Sequence, residues 1–240
     1  PFAPHFAEEM WEILGHTAPR RMAVIKPLKI ILVNYPEGQE EELPALNHPN
    51  NCEFGSRNLP FSREIYIEQN DFMIEAPRKF FRLSPGSEVR LRYAYIIRCD
   101  EVIKDKSGKV VELHCSYDPD TRSGTGSSNR KVKGTIHWVS ASHALAAEVR
   151  LYDRLFTVPD PAVSDDVTEY LNPNSLEIVT AQLEPSLDKV DEVCSFQFER
   201  LGYFAPDSVD STPDKPIFNR IVTLRDSWAK FEKQALQQLK

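Results

Sequence analysis

The chain has 240 residues, enough for one large domain or two small ones with a buried core. It is acidic, with 36 Asp and Glu against 29 Lys and Arg, and its 41% hydrophobic and 27% charged content is ordinary for a globular protein. No run approaches a membrane-spanning helix and no secretory signal opens the chain, which argues against a helical membrane protein or a secreted precursor, and 18 prolines against 9 glycines favour short strands punctuated by turns.

Residues 1–16 predict a helix: Phe2, Phe6, Met10, Ile13 and Leu14 recur at helical spacing, Glu8, Glu9 and Glu12 take polar positions, and Gly15 is expected to end it. Strand texture starts at Met22, with candidates at 23–25 and 28–33. A polar proline turn follows at 47–51, and the alternation over 64–68 predicts a half-buried strand. The most regular pattern, 88–98, reads as a single strand with Val89, Leu91, Tyr93, Tyr95 and Ile97 on one face. Arg90 and Arg92 would then share the other face about 7 Å apart, close to one internucleotide step. Residues 102–104 and 110–113 flank a turn at 105–108 and predict a hairpin. Residues 121–133 carry Gly124 and Gly126 and end in Arg130, Lys131 and Lys133, which predicts a mobile basic loop, although the Gly-Lys-Ser/Thr ending of a phosphate loop is missing. Further strands are expected at 134–139, 147–152 and 195–200, and residues 228–240 are helix-like. The class is mostly antiparallel β with a helix at each end.

Basic residues are segregated. One cluster holds Arg78, Lys79, Arg82, Arg90, Arg92 and Arg98; the other holds Arg122, Arg130, Lys131 and Lys133. Residues 159–193, by contrast, hold nine acidic side chains and Lys189 as their one base. Such segregation points to an anionic ligand on one face, RNA fitting best, with ordinary solvated arginines as the plain alternative. Cys52, Cys99, Cys115 and Cys194 match no zinc spacing and are expected to be free thiols in a reducing cytoplasm; His48, His114, His137 and His143 form no metal pattern. The start at Pro1, without an initiator Met, is the mark expected of a fragment of something longer.

From Ala18-Pro19-Arg20-Arg21-Met22-Ala23-Val24 onward, about nine-tenths of the chain resembles the C-terminal region of the glutaminyl-tRNA synthetases. The resemblance runs through Asn47-His48-Pro49, Gly55-Ser56-Arg57, Val89-Arg90-Leu91-Arg92, the run from Lys131 to Ser140, the run from Arg150 to Phe156, Phe196-Gln197-Phe198-Glu199-Arg200 and Phe218-Asn219-Arg220. It implies two antiparallel β-barrels, one inserted in the other: a proximal barrel from 17–76 plus 172–229, a distal barrel from 77–171, and a tail from 230–240. It also implies roles. Arg20, Pro49, Gln197 and Arg200 match positions that enclose the middle anticodon base, a uridine; Gln pairs a donor and an acceptor with a pyrimidine edge. Gln197 and Arg200, three apart, cannot share a face of one regular strand, so a bulge or strand end is expected between them. Arg82 matches the reader of the third base, a purine, and Arg90 and Arg92 match contacts to the first base and its backbone. Asn50 and Lys79 join this set, with Arg130, Lys131 and Lys133 as candidate phosphate contacts.

The chain departs from the family in carrying Lys79 and Phe81 where bacterial relatives have Gln and Lys. Phe81 reads equally as a base-stacking ring or as core, whereas Trp138, Tyr203 and Phe204 read as core. Residues 1–16 instead resemble a helix of the leucyl- and valyl-type synthetases, so the join at 15–17 reads as a graft, a chimera or a mis-joined gene. The nucleotide-binding motifs of class I synthetases are missing, and no metal cluster or catalytic set emerges. The expected function is therefore tRNA anticodon recognition for an ATP-dependent glutamine–tRNA ligase, with ATP and Mg belonging to the parent enzyme and no cofactor or catalysis in this piece. The expected partner is a glutamine-specific tRNA, bound by a cytoplasmic monomer without membrane contact. The alternatives are the same domain of an archaeal or eukaryotic-type glutamyl-tRNA synthetase, or a non-enzymatic β-barrel RNA-binding protein.

Overall fold

The computed structural model describes residues 4–125, 129–158, 160–163, 165–188 and 194–224. Phe2 and the helix expected at 228–240 lie outside them. The protein is mostly β, with two large curled sheets forming barrel-like domains. Two compact units share the chain: residues 1–19, 148–179 and 190–240 form one, and residues 20–147 and 180–189 the other.

In the 20–147 unit the strands are β1 (Arg20–Arg21), β2 (Ala23–Val24), β3 (Pro27–Leu32), β4 (Glu41–Leu46), β5 (Ser56–Phe61), β6 (Glu64–Glu68), β7 (Glu88–Leu91), β8 (Ile96–Lys104), β9 (Val110–Asp118), β10 (Thr135–Ile136) and β11 (Val139–Ser140). One sheet runs β10-β7-β8-β9-β3-β6-β11. Its edge strands β10 and β11 are consecutive in sequence, so His137 and Trp138 carry the chain from one edge to the other and close the sheet covalently. Trp138 is buried there against Phe61, with ring centroids 5.0 Å apart. β3 pairs antiparallel with β6 and parallel with β9, and β10 parallel with β7, so the sheet is mixed. Because β3 and β6 share this sheet with β7, β8 and β9, the unit runs across the boundary at 76/77 that the resemblance implied.

The hairpin at 102–113 forms as expected: Gly108 takes φ +85°, and Asp105 and Lys109 close the turn at 2.9 Å. The single strand expected at 88–98 does not form. β7 ends at Leu91, the chain turns through 92–95, and β8 returns antiparallel, with Val89 opposite Ile97. Tyr93, at φ +62°, takes the left-handed conformation that costs a non-glycine residue about 1 kcal/mol. Tertiary hydrogen bonds hold it: the Trp138 indole donates to the Arg92 carbonyl (2.9 Å), and the Ser123 amide and hydroxyl donate to the Ala94 carbonyl (3.0 and 2.8 Å). Arg92 therefore stands in a turn, not beside Arg90 on a strand face.

The chain passes between the units through β12 (Leu145–Tyr152) and β13 (Leu176–Leu183). The other unit contains α1 (Pro4–Thr17), β14 (Phe196–Phe198), β15 (Gly202–Pro206) and β16 (Ile217–Thr223). β15 pairs antiparallel with β14 and β16, and β12 pairs parallel with β16. Phe198 stacks on Phe204 at 4.3 Å between centroids, and Phe218 packs on Phe198 at 5.5 Å; Tyr203 and Phe204 are core, as expected. α1 continues past Gly15 to Thr17, because no left-handed residue stops it; the Ala18 amide still reaches the Leu14 carbonyl at 3.0 Å. Met10, Trp11, Leu14 and Ala18 pack with Tyr203 and β16, the Trp11 indole donating to the Thr223 carbonyl at 2.6 Å, whereas Ile13 is exposed. The contacting stripe thus keeps Met10 and Leu14 of the expected pattern, with Trp11 and not Ile13 beside them.

In the same unit Arg150 joins Asp207 (3.1 Å), Glu148 (2.9 Å) and Asp210 (2.7 Å), and Asn219 donates to Asp207 at 2.7 Å. The Asp210 amide above all, then Asn219, hold the Asp207 carboxyl at about 2, below its ordinary value. A carboxyl depressed on folding stabilises the fold above its unfolded pKa and loses that contribution as pH falls toward the folded value. Resistance of this protein to thermal unfolding is therefore expected to fall as pH drops from about 4 to about 2. Asp207→Asn should flatten that part of the profile; an unchanged slope would remove Asp207 from it.

Candidate nucleic-acid interface

The two basic clusters become one surface in the 20–147 unit. The parallel pairing of β10 with β7 is the cause: the Arg90 amide donates to the Gly134 carbonyl (3.0 Å) and the Arg92 amide to the Ile136 carbonyl (2.9 Å). Residues 130–133 are thereby laid beside residues 81–92. At Gly134 the backbones touch: a Cβ there would lie 1.9 Å from the Phe81 carbonyl oxygen, so only glycine permits the approach.

Arg82 is exposed but aimed. Its Nε lies 3.3 Å from the buried Asp71 carboxylate, Nη1 donates to the Asn70 carbonyl at 2.9 Å, and its guanidinium lies 5.6 Å from the Phe80 ring centre. Lys79 is exposed in the same loop. The Arg90 guanidinium donates to the Thr121 carbonyl (2.8 Å) and the Arg130 carbonyl (3.1 Å). Burial, and then the neighbouring Arg130 charge, lower its pKa. Arg130 pairs with Glu88 (2.6 Å) and Asp118 (2.9 Å), and Arg122 lies 3.4 Å from Glu41. The described part of the loop expected to be mobile is thus tied down at both ends by arginine contacts across the sequence. Lys131 and Lys133 are exposed, and the Arg92 guanidinium lies 5.0 Å from the Tyr93 ring centre.

A second group forms around Asn47, between β4 and β5. The Arg20 amide donates to the Asn47 carbonyl at 2.6 Å, Arg21 donates to Asn47 Oδ1 at 2.9 Å, and Asn47 Nδ2 donates to the Phe54 carbonyl at 2.8 Å. His48 stacks on Phe54 (5.2 Å) and accepts from the Asn50 amide at 3.2 Å, which leaves Pro49 and Asn50 exposed at the turn tip. Arg20 and Pro49–Asn50 are therefore brought together by the backbone, and Arg20 Nε is buried without a hydrogen-bond partner among the described residues. Beneath them Arg57 is paired through Nε and Nη2 with the buried Glu184, which also accepts from the Met22 amide at 2.7 Å. The sequence reading missed Asp71, Glu184 and Asn47 as organisers; Asn47 and Arg57 lie in motifs it quoted, but their partners are remote in sequence.

Gln197 and Arg200 belong to the other unit. β14 ends at Phe198, and Arg200 follows in a turn at φ +66°, closed by the Leu201 amide on the Phe198 carbonyl at 2.9 Å. A strand end thus separates the two, as their spacing required. Gln197 is buried and its backbone N–H donates to the Pro19 carbonyl (3.0 Å), while Arg200 is exposed. All four cysteines are free, and Cys99 and Cys115 face each other across β8 and β9. Among the described residues there is no cluster that could hold a metal ion, and no helix is long and apolar enough to cross a membrane.

Curled β-sheets and a basic surface bearing the exposed ring of Phe81 define the chain as a β-barrel-type module. The family described as "tRNA synthetases class I (E and Q), anti-codon binding domain" matches residues 18–118, and a second domain family of the same description matches 135–207. The chain belongs to this anticodon-binding domain family. It is 55% identical over 219 residues to a Glutamine--tRNA ligase of Nitrobacter hamburgensis, covering 91% of this chain and 39% of that protein. Glutamine--tRNA ligases of Pseudoalteromonas atlantica (55% over 221 residues; 90% of this chain, 39% of that protein) and Vibrio parahaemolyticus (50% over 221 residues; 92% and 40%) are similar in the same way. The chain thus spans about two-fifths of the length of the curated relatives it matches.

Proposed function

We propose that this chain is the anticodon-recognition module of a glutamine–tRNA ligase, reading a loop with C or U, then U, then G. The observation that carries the reading is that the two anticodon-binding families cover Arg20, Pro49, Asn50, Lys79, Arg82, Arg90, Arg92, Gln197 and Arg200. The local geometry supports it. Arg82 is held by Asp71 and the Asn70 carbonyl while its side chain stays 44% exposed, as a guanidinium needs to be to meet a guanine edge. Among the described residues Arg20 carries a buried donor without a hydrogen-bond partner, Gln197 offers a buried side-chain amide, and Arg200 an exposed charge. In this reading Arg20, Pro49, Gln197 and Arg200 read the middle uridine, Arg90 and Arg92 the first base and its backbone, and Lys131 and Lys133 add phosphate attraction. Glutamine activation with ATP and Mg then belongs to the part of the relatives beyond this match, and the module works as a cytoplasmic monomer without its own catalysis. The names of the relatives favour glutaminyl over the glutamyl alternative.

Titration with anticodon stem-loops tests this. A loop with the middle uridine replaced should bind more weakly; equal affinity would end the anticodon reading in favour of a general RNA-binding β-barrel. Arg82→Lys keeps a cation beside Asp71 but loses the fork, and should relax discrimination at the purine position by about 1–3 kcal/mol. Retained discrimination would remove Arg82 from base reading.

A further inference from the structure

We infer that Phe81, flanked by Lys133, is a stacking platform for one splayed-out base of the RNA loop, a contact additional to the arginines that read base edges. The inference rests on the anticodon reading above. Phe81 is 51% exposed, whereas Tyr35, Phe61, Tyr95 and Trp138 of the same unit are buried against one another. Phe81 is therefore not core, which settles its role against one of its two readings. Its exposure is not that of a floppy loop: the Gly134 backbone packs directly on the Phe81 carbonyl, and the Phe80 amide closes a turn onto the Pro77 carbonyl at 2.8 Å.

The surroundings choose the ligand. Lys133 Nζ lies 5.8 Å from the Phe81 ring centre, Arg82 follows directly on the chain, and Lys79 is exposed two residues before. An apolar protein partner would meet cations around a single ring, a poor match for a desolvated hydrophobic contact. A nucleotide matches both parts: its base has a π-face for the ring and its phosphate an opposite charge for the lysine. Since every base has such a face, the platform adds affinity without specifying sequence, leaving discrimination to Arg82 beside it.

The test uses the whole chain and a fluorescent anticodon stem-loop. Phe81→Leu keeps apolar volume but loses the aromatic face, and should weaken binding roughly 5- to 150-fold, while Phe81→Trp retains it. The salt dependence should keep its slope in both, because no charge is removed. A series of loops with one abasic position each locates the stacked base: there, and at no other position, the Phe81→Leu loss should vanish. Wild-type affinity in Phe81→Leu, with unchanged melting temperature, overturns the platform alone if the wild-type chain still discriminates against the replaced middle uridine. Loss of that discrimination in the wild type overturns the anticodon reading and the platform with it. A Phe81→Leu penalty that persists at every abasic position also overturns it.

Discussion

Arg57→Ala is expected to destabilise the 20–147 unit by about 3–5 kcal/mol, read from urea unfolding at neutral pH. Arg57 and Glu184 are 7% and 2% exposed and form a two-pronged ion pair. Glu184 also accepts from the Met22 amide (2.7 Å) and from the Ser186 hydroxyl, so it cannot turn away when its cation is removed. The next guanidinium, that of Arg21, lies 3.8 Å from the carboxylate, too far for a hydrogen bond. A buried carboxylate stripped of its main partner is costly, whereas replacing both members by apolar residues of similar volume is not. The Arg57→Met, Glu184→Leu double variant should therefore recover part of the loss, the remainder being the Met22 amide left without its acceptor. A single-variant loss below about 1 kcal/mol would show that the pair behaves like a surface salt bridge. Function should follow stability here, because Arg57 also reaches Asn47 Oδ1 at 3.3 Å and Asn47 positions Arg20.

Trp138→Ala is expected to cost about 3–5 kcal/mol as well, and to weaken RNA binding beyond what the lost stability explains. The indole fills the point where β10 and β11 join the two edges of the sheet, and it donates to the Arg92 carbonyl at 2.9 Å. Trp138→Phe separates the two roles. It keeps most of the packing but removes the indole's hydrogen bond to that carbonyl, and so should disturb the 92–95 turn more than the core. Stem-loop affinity measured well below the melting temperature checks this. Wild-type affinity in Trp138→Phe would show that the turn holds Arg92 without the indole.

Local patterns in the sequence were legible where the structure they encode is local. The strand at 64–68 and the hairpin at 102–113 depend on near neighbours, alternation and a Gly turn, and both formed as read. β4 and β5 were not read, because Pro44 and Pro60 interrupt their patterns. The two strands pair with each other in a sheet of their own, where a missing amide on the open edge is tolerated. The misreading at 88–98 has the opposite origin. Its alternation runs unbroken through residues 92–95 and holds no Gly, Pro, Asn or Asp, so nothing local marks the turn that Trp138 and Ser123 impose from elsewhere in the chain.

The candidate site divides in the same way. The resemblance offered Arg20, Arg82, Gln197 and Arg200 as candidates, and the spacing of the last two was sufficient to require the strand end observed between them. Naming Asp71 as the holder of Arg82, or Arg90 as the anchor of the 121–130 loop, was beyond them. By itself the sequence determined a β protein of short strands, two basic clusters and the kinds of side chain available for an anionic ligand. Only the tertiary structure decided that the clusters form one surface, that Phe81 faces solvent and that Arg92 sits in a turn. The reason is physical: alternation and charge are properties of adjacent residues, whereas strand pairing follows from burial summed over a whole closed sheet. No short stretch carries the information that lays β10 beside β7.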